Sequence, residues 1–262
     1  MRLHCVLSAL MLALVFCAAP IRAETITRAE YRNPVERYGH FALGRPHEYS
    51  RLTATTDSGR SVELELAEAE VFEDLAPRLV KLARGAPNEI LAIVSRRDRG
   101  ARLVLFGLDG GQLKIIAQSQ AIGTPMRWLN PVGVADLDGD GRAEIAAVIT
   151  PHIGGTLKIY RRVGGDLLEV AALAGFSNHV YGSPELRLSA TALIAGRMRL
   201  LVPDNTRRYL RVITLTGDRL VETGRCPLRA PITGAISMNA SSEITVGLAA
   251  GQQVLAMDDC RR

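Results

Sequence analysis

The feature that most constrains the fold is a hairpin that recurs along the chain. Four segments each contain an alternating strand, a tight glycine-containing turn and a second strand, and they begin at Leu52, Leu103, Leu157 and Leu210. The spacings are 51, 54 and 53 residues, and turns of this kind join antiparallel strands. A repeat of this length predicts an all-β propeller whose blades have about four strands each.

Short apolar runs recur at a similar interval and are predicted to form the inner strand of each blade. They cover residues 38–43, 89–95, 144–150, 199–204 and 243–248. These runs predict about five blades. The first and last units are incomplete, so we expect strands from both termini to share one sheet. Such sharing closes the ring and hides the sheet edges.

Residues 136–144 hold three carboxylates at alternate positions, with glycines between and after them, and a fourth carboxylate at the ninth place. Calcium takes roughly six to eight oxygen ligands, and glycine allows the positive φ angles of a tightly curled loop. We therefore predict one calcium ion in this loop. The predicted ligands are the side chains of Asp136, Asp138, Asp140 and Glu144 and the backbone carbonyl of Arg142.

The helical EF-hand loop is a poor fit to this stretch. It requires a bidentate Glu at about position 12 and a helix on each side, whereas Ala147 occupies that position. A short apolar run rich in β-branched residues follows Glu144, which indicates a buried strand. The loop is therefore predicted to join two strands. The alternative is a surface turn rich in Asp and Gly that binds no ion.

A more specific signal lies in residues 134–145, which read VADLDGDGRAEI. This string resembles the FG-GAP/VCBS-type repeat of integrin-α-like β-propellers, whose blades carry DxDGDGxxD/E calcium loops. The resemblance implies a calcium-stabilised propeller over residues 38–258. Of the corresponding segments, residues 81–89 retain only Glu89 as an acidic residue and residues 191–199 retain none. We therefore expect a single ion per chain, and all three segments on one rim of the fold.

Residues 1–23 are typical of a secretory signal. Arg2 supplies a positive start, an apolar stretch of 14 residues follows it, and Ala23 offers a small residue for cleavage. The apolar stretch is shorter than the ~20 residues that span a membrane. We therefore expect an exported, periplasmic or extracellular protein without a membrane span. Residues 24–262 are predicted to form one domain and a monomer.

The mature chain would retain two cysteines, Cys226 and Cys260. In an exported protein they predict one disulfide, and the alternative is a pair of buried thiols. The same chain would carry 30 basic and 27 acidic side chains, a net charge of +3. Its basic residues are scattered, so no nucleic-acid partner is expected.

No catalytic motif is evident along the chain. The histidines of the mature chain are His40, His47, His152 and His179, and none has metal-ligand spacing such as HExxH. Residues 175–179 do not form a GxSxG nucleophile elbow. The sequence therefore predicts no catalytic residue.

Three inter-blade segments are candidates for a shallow ligand cleft near the propeller axis, because they occupy nearly equivalent places in successive units. The alternative is that they serve only blade packing and turns. The residues predicted to line this ligand face are Glu73, Arg127, Trp128, Asn130, His179 and Tyr181.

Two functions from different classes fit these observations. The favoured interpretation is a non-catalytic, calcium-stabilised propeller that binds a protein or glycan partner. The alternative is a hydrolase or lyase that acts on an envelope or extracellular polysaccharide through the axial face. Propellers host many functions, so the fold class does not decide between the two. A catalytic acid–base pair converging on that face would favour the enzyme.

Overall fold

Strands account for almost all regular structure in the computed structural model, which describes residues 24–239 and 241–260. The predicted all-β class is confirmed, and one short 3₁₀ helix accompanies the strands. The predicted signal segment, residues 1–23, lies outside the described residues. None of the described helical structure is long and apolar enough to cross a bilayer.

The first meander consists of three antiparallel strands, β1 (Ile26–Pro34), β2 (Tyr49–Thr56) and β3 (Ser61–Glu65). The middle strand, β2, pairs with both of its neighbours. Gly59 lies in the β2–β3 turn with a φ of +82°, a conformation that glycine adopts without a steric penalty. The first of the four predicted hairpins is thus confirmed.

Residues 38–43 do not form the predicted inner strand. Gly39 and Phe41 have φ angles of +79° and +51°, which lie outside the extended region and prevent a regular ladder. The buried Glu48 carboxylate instead accepts the backbone N–H groups of Tyr38 and Gly39 at 3.1 and 2.8 Å. These hydrogen bonds hold the segment as an irregular turn.

Three further meanders follow, and each contains one of the remaining predicted hairpins. The strands of the second meander are β4 (Glu70–Phe72), β5 (Arg78–Val80), β6 (Glu89–Arg96), β7 (Gly100–Asp109) and β8 (Gln112–Ser119). The strands of the third are β9 (Leu129–Ala135), β10 (Glu144–Ile149), β11 (Gly155–Val163) and β12 (Asp166–Phe176). The strands of the fourth are β13 (Ala190–Ile194), β14 (Arg197–Pro203), β15 (Tyr209–Thr216) and β16 (Arg219–Pro227).

In the third and fourth meanders each strand pairs antiparallel with the next strand along the chain. In the second, β4 and β5 pair with successive parts of the same edge of β6. A short parallel contact between β8 and β12 joins the second meander to the third. The predicted hairpins at β7–β8, β11–β12 and β15–β16 are confirmed.

The last meander contains β17 (Ile232–Met238), β18 (Ile244–Leu248) and β19 (Gly251–Leu255). Cys226 at the end of β16 forms the predicted disulfide with Cys260, which follows the 3₁₀ helix Met257–Asp259. Among the described residues β1 pairs with β2 and β19 with β18. The expected sheet shared by both termini is therefore not found there, and no sheet of the described chain closes on itself.

Successive meanders pack face to face, because their inner strands are apolar on both sides. Ile90 and Val94 of β6 pack in the cluster shared with the first meander, whereas Leu91 and Ile93 pack in the cluster shared with the third. The same alternation places Ala146 of β10 in the cluster that includes β14. Alternate side chains of a strand point to opposite faces, so the second, third and fourth meanders each contribute to two cores.

The turns that were aligned with the acidic loop differ from one another. The segment before β6 contacts the acidic loop directly, since Ala143 donates its N–H to the Leu82 carbonyl at 2.8 Å. These two turns therefore lie side by side, as predicted. Residues 191–199 do not form a comparable loop. Ala195 and Gly196 alone connect β13 to β14, so the 55-residue register fails at this turn.

Candidate functional site

The acidic loop between β9 and β10 brings three of its predicted ligands together. One carboxylate oxygen each from Asp136, Asp138 and Glu144 lies within 4.8 Å of the others. Gly139 and Gly141 curl the loop with φ angles of +86° and +89°. Oxygens that surround a calcium ion at roughly 2.3–2.6 Å are separated by no more than about twice that distance. The three carboxylates therefore fit a hard cation.

The other two predicted ligands lie outside this group. The Asp140 carboxylate accepts the backbone N–H of Arg142 at 2.7 Å and is exposed. Arg142 itself pairs with Ala83 of the neighbouring turn. The structure thus groups three of the five predicted ligand residues, and the remaining two stabilise the loop backbone.

Arg161 of β11 contacts the acidic group from inside the fold. Its guanidinium donates to the Asp138 carboxylate at 2.7 Å and to the Glu144 carboxylate at 3.2 Å. Burial raises the pKa of the Glu144 carboxyl above its ordinary value, and the Leu137 N–H and Arg161 oppose that shift. The sequence reasoning missed Arg161 because it belongs to a different hairpin from the loop.

A second polar site lies among the segments predicted as the ligand face. It is a cavity of about 150 Å³ that opens to the surface. We call it the histidine pocket. Its lining residues are His40, Met126, Arg127, Trp128, Thr150, His152, Ile153 and Tyr181.

A buried carboxylate orients one histidine of this pocket. Glu73 is 1% exposed and its Oε1 lies 2.8 Å from His40 Nδ1. Its other oxygen accepts a hydrogen bond from the Ser95 hydroxyl at 2.6 Å. A carboxylate oxygen can only accept, so His40 Nδ1 carries the proton. A neutral His40 therefore has its lone pair on Nε2, the arrangement that a general base requires.

Two further histidines form a hydrogen-bonded pair beside it. His179 Nε2 lies 2.9 Å from the Ser183 carbonyl, which makes that nitrogen the donor. His179 Nδ1 is then the acceptor for His152 Nε2 at 2.7 Å. The pKa of His152 is lowered to about 3 and the pKa of His179 to about 4, and burial is the main cause of both shifts. Both rings are therefore neutral at pH 7.

Aromatic rings form one wall of the histidine pocket. The Trp128 and His152 rings are stacked with an interplanar angle of 1° and centroids 5.9 Å apart. The Trp128 indole N–H donates to the Glu73 carbonyl at 2.9 Å. Tyr181 is 57% exposed and Ile153 is 61% exposed. An exposed apolar rim of this kind is typical of a binding surface.

Backbone strain is concentrated around the same pocket. Met126 and Thr150 line it with φ angles of +52° and +51°, and Phe41, next to His40, has a φ of +51°. Such angles are costly for residues other than glycine, above all for a β-branched residue. Strained residues of this kind cluster at functional sites.

Five of the six residues predicted for the ligand face lie in the histidine pocket or directly behind it. Arg127, Trp128 and Tyr181 line the pocket, and Glu73 lies behind His40. His179 is fully buried and supports His152 from behind.

Asn130 does not reach the pocket. It is fully buried, and its amide donates to the carbonyls of Asn178 and Leu186 at 3.1 and 2.9 Å. Its side chain joins two neighbouring segments and is not available to a ligand.

Two histidines that line the pocket were missed in the sequence. His40 was assigned to an inner strand, and His152 was considered only for metal-ligand spacing. A signal was present, since His40, His152 and Trp128 lie next to strand ends or in irregular segments. Their convergence depends on the packing of separate meanders, which spacing along the chain does not reveal.

The comparisons with known proteins return a distant likeness. No family model matches the chain, and no curated protein matches it. One similar solved structure is the intramolecular trans-sialidase from Ruminococcus gnavus, with 11% sequence identity and a TM-score of 0.46. The likeness covers 81% of this chain and 51% of the other, so this chain spans about half the length of that protein.

The favoured interpretation, a non-catalytic binding module, disagrees with the description of the matched protein as a trans-sialidase. A likeness at this level identifies neither a substrate nor a catalytic residue for this chain. The roles proposed below are therefore derived from this chain's own side chains.

Proposed function

We propose that this protein is an enzyme that acts on an envelope or extracellular polysaccharide, with the histidine pocket as its active site. The observation that carries the proposal is the pair of His40 and the buried Glu73 carboxylate, joined at 2.8 Å. A carboxylate that fixes the tautomer and orientation of an imidazole at a pocket is a recurrent arrangement for proton transfer.

The composition of the pocket favours a lyase over a hydrolase. Glycoside hydrolysis ordinarily requires two carboxyl groups on either side of the scissile bond. Among the described lining residues there is no carboxylate, and Glu73 is occupied by His40 and Ser95. A histidine base instead suits the removal of a proton next to the carboxylate of a uronic acid unit.

In that reaction the C–H bond breaks and its proton passes to His40 Nε2. The electron pair forms a carbon–carbon double bond, the glycosidic C–O bond breaks, and the leaving oxygen takes a proton from water. Arg127 lines the pocket and is suited to pair with the uronate carboxylate. Trp128 and the exposed Tyr181 offer apolar faces on which a sugar ring can lie.

The test is an assay on a panel of uronic acid polysaccharides and matched neutral ones. Elimination creates an unsaturated product that absorbs in the ultraviolet, whereas hydrolysis creates new reducing ends without that absorbance. We expect absorbance only with uronic acid polymers. His40→Ala and Glu73→Gln should each lower the rate by about 10² to 10⁴-fold, the usual contribution of general acid–base catalysis.

Glu63→Gln is the matched control, because Glu63 is an exposed carboxylate of β3 whose side chain is 60% accessible. This variant should retain the full rate. Reducing ends without absorbance would convert the proposal to a hydrolase. An active His40→Ala variant would show that the pocket is not the active site.

The architecture around this pocket is proposed to be a propeller. The support is the face-to-face packing of successive meanders through clusters that alternate along β6 and β10. We also propose that the propeller has about five blades and that it is related to FG-GAP/VCBS-type repeats. We further propose that residues 1–23 direct export, that a single domain begins at residue 24, and that the protein is a monomer.

Calcium is proposed as the ion of the acidic loop. Asp136, Asp138 and Glu144 would hold it, since all offer carboxylate oxygens, the ligands that hard cations prefer. When bound, the ion would supply charge neutralisation between β9 and β10. We propose a structural role for it and no part in the chemistry of the histidine pocket.

A further inference from the structure

A second cavity, larger than the histidine pocket, lies where the second, third and fourth meanders meet. It has a volume of about 400 Å³ and shares no lining residue with the histidine pocket. We call it the basic cavity. Its walls are β5 with Lys81, residues 131–134 of β9, and the segment before β13 that contains Leu186, Arg187 and Ser189, and Leu91 of β6 also lines it.

Buried hydrogen bonds hold one wall of the basic cavity in place. The Asn178 amide donates to the Ser189 hydroxyl at 3.0 Å, and the Asn130 amide donates to the Leu186 carbonyl at 2.9 Å. Both asparagines are fully buried, so these contacts are protected from water. The wall before β13 is therefore fixed without any ligand, as the walls of small-molecule sites usually are.

The charged side chains that line the basic cavity are all cations, namely Arg78, Lys81 and Arg187. Arg78 pairs with the buried Asp74, and Arg187 pairs with Glu185 at 3.2 Å. Neither carboxylate lines the cavity. A guanidinium carries more N–H donors than one carboxylate engages, so both arginines keep donors for a ligand.

Lys81 is the lining cation that lacks a carboxylate partner. Among the described residues, the ion pairs of lysine are those of Lys114 and Lys158. Lys81 is also exposed, so its ammonium is available to an anion. Apolar side chains, among them Leu79 and Leu186, line the cavity beside these cations. The cavity therefore suits a ligand that has both a negative group and an apolar face.

We propose that the basic cavity is a second, non-catalytic binding site for one uronic acid unit of the polysaccharide. The carboxylate of such a unit can bind Lys81 and a guanidinium through charge-assisted hydrogen bonds, and its C–H face can pack on Leu79 and Leu186. The cavity volume falls within the range of about 300–1,000 Å³ that is usual for small-molecule sites. The choice of a uronic acid rests on the proposed function.

The strand β9 links the basic cavity to the histidine pocket. Arg127 and Trp128 of the pocket directly precede β9, whereas residues 131–134 of the same strand line the cavity. At about 3.3 Å per residue, the two sites lie roughly 10–20 Å apart along this strand. A polymer held at one site is thereby presented to the other at a high effective concentration. A substrate too short to reach both sites gains nothing from the basic cavity.

Titration calorimetry with D-glucuronate tests the binding site. A monosaccharide has no glycosidic bond to break, so its binding is measured whether or not the chain is a lyase. We expect Lys81→Gln to bind glucuronate at least about tenfold more weakly than the unaltered chain, through loss of a charge-assisted contact. Lys114→Gln is the matched control and should match the unaltered chain, because Lys114 is an exposed lysine of β8 that pairs with Asp109.

Two further comparisons make the titration specific. The same lysine variants are also made in Arg127→Gln, so that glucuronate bound at the histidine pocket does not mask the effect. Glucose and inorganic phosphate are titrated alongside glucuronate. Glucose should not bind, because it lacks the carboxylate. Phosphate should bind more weakly than glucuronate, because it has no apolar face to pack on the cavity wall.

Two results would overturn the inference. Glucuronate binding that is absent, or unchanged in Lys81→Gln, would show that the basic cavity is not its site. Phosphate that binds as tightly as glucuronate and depends equally on Lys81 would make the cavity a general anion site. The polysaccharide assay separates this inference from the proposed function. Lys81-dependent glucuronate binding in a chain without lyase activity would support the site and refute the proposed reaction.

A kinetic measurement gives a second test when the chain is active. Lys81→Gln should raise the KM for a long uronic acid polymer several-fold and leave the KM for a short oligomer unchanged, since only the polymer reaches both sites. An equal rise for both substrates would place Lys81 in the histidine pocket's own binding and would overturn the assignment of a separate site.

Discussion

The acidic loop and the histidine pocket bury polar groups by opposite means. In the loop the fully buried carboxyl group of Glu144 lies 3.2 Å from the guanidinium of Arg161. In the pocket the half-buried His152 and the fully buried His179 are neutral rings that hydrogen-bond to each other at 2.7 Å. The first solution depends on charge pairing and the second on the choice of tautomer.

This difference predicts which solution variable each site responds to. A site satisfied by opposite charges should respond to cations and to salt, since both compete with the internal ion pair. A site satisfied by neutral imidazoles should respond to protons, because protonation removes the acceptor nitrogen.

The largest expected effect is the loss of stability in mild acid. The folded pKa values of about 3 for His152 and about 4 for His179 lie below the ordinary value of 6.5. The unfolded chain therefore binds more protons, so the stabilisation is complete above pH 6.5 and is lost as the pH falls. Between pH 6.5 and 5 we expect the free energy of unfolding to fall by about 3 kcal/mol.

Denaturant titrations at a series of pH values measure this slope. In His152→Gln the amide can still donate to His179 but cannot titrate, so about half of the slope should disappear. Arg161→Gln should leave the slope unchanged. A flat stability profile in the unaltered chain over this range would show that the two rings are not buried in the neutral form.

An intermediate effect is expected from calcium. At about a hundredfold excess over its dissociation constant, a bound ion stabilises the folded chain by about 2.7 kcal/mol. Asp138→Ala should remove most of this gain, whereas His152→Gln should retain it. Melting curves in chelator and in added calcium provide the measurement. A chain whose melting temperature ignores both additions would refute the ion site.

The smallest effect should come from salt. The ion pairs of Arg161 are partly exposed, with 26% of its side chain accessible, so screening should weaken them. Raising sodium chloride from ~0.05 to ~1 M should shrink the stability difference between the unaltered chain and Arg161→Gln by roughly 0.5 kcal/mol. The corresponding difference for His152→Gln should not change, because no charge is removed there.

The strands could be predicted from the sequence because their signals are local. The hairpin at β11–β12 shows alternation and a glycine turn within one short window, and so do its three counterparts. The apolar runs at β6 and β10 are buried on both faces, as a continuous run indicates. Such features depend only on residues that are close in sequence, so they can be recognised without knowledge of the tertiary structure.

The failures occurred where tertiary contacts decide the conformation. Residues 38–43 are apolar enough for a strand, yet the Glu48 carboxylate, which lies beyond that run, draws their amides into a turn. The β13–β14 connection was aligned by spacing alone and proved to be a two-residue turn. The acidic loop could be recognised from its own spacing of acidic residues and glycines. Arg161 and His152 lie in other elements, so they could be assigned to a site only from the folded structure.

The link between Tyr181 and the segment at His40 has a consequence for how the protein matures. The Tyr181 hydroxyl donates to the His40 carbonyl, and Gly182 donates its N–H to Ala42 at 2.8 Å. These partners are 141 residues apart in the first case, so the link forms late in folding. A nascent chain that has not yet extended past residue 182 lacks both donors, so its histidine pocket is incomplete until that point of synthesis.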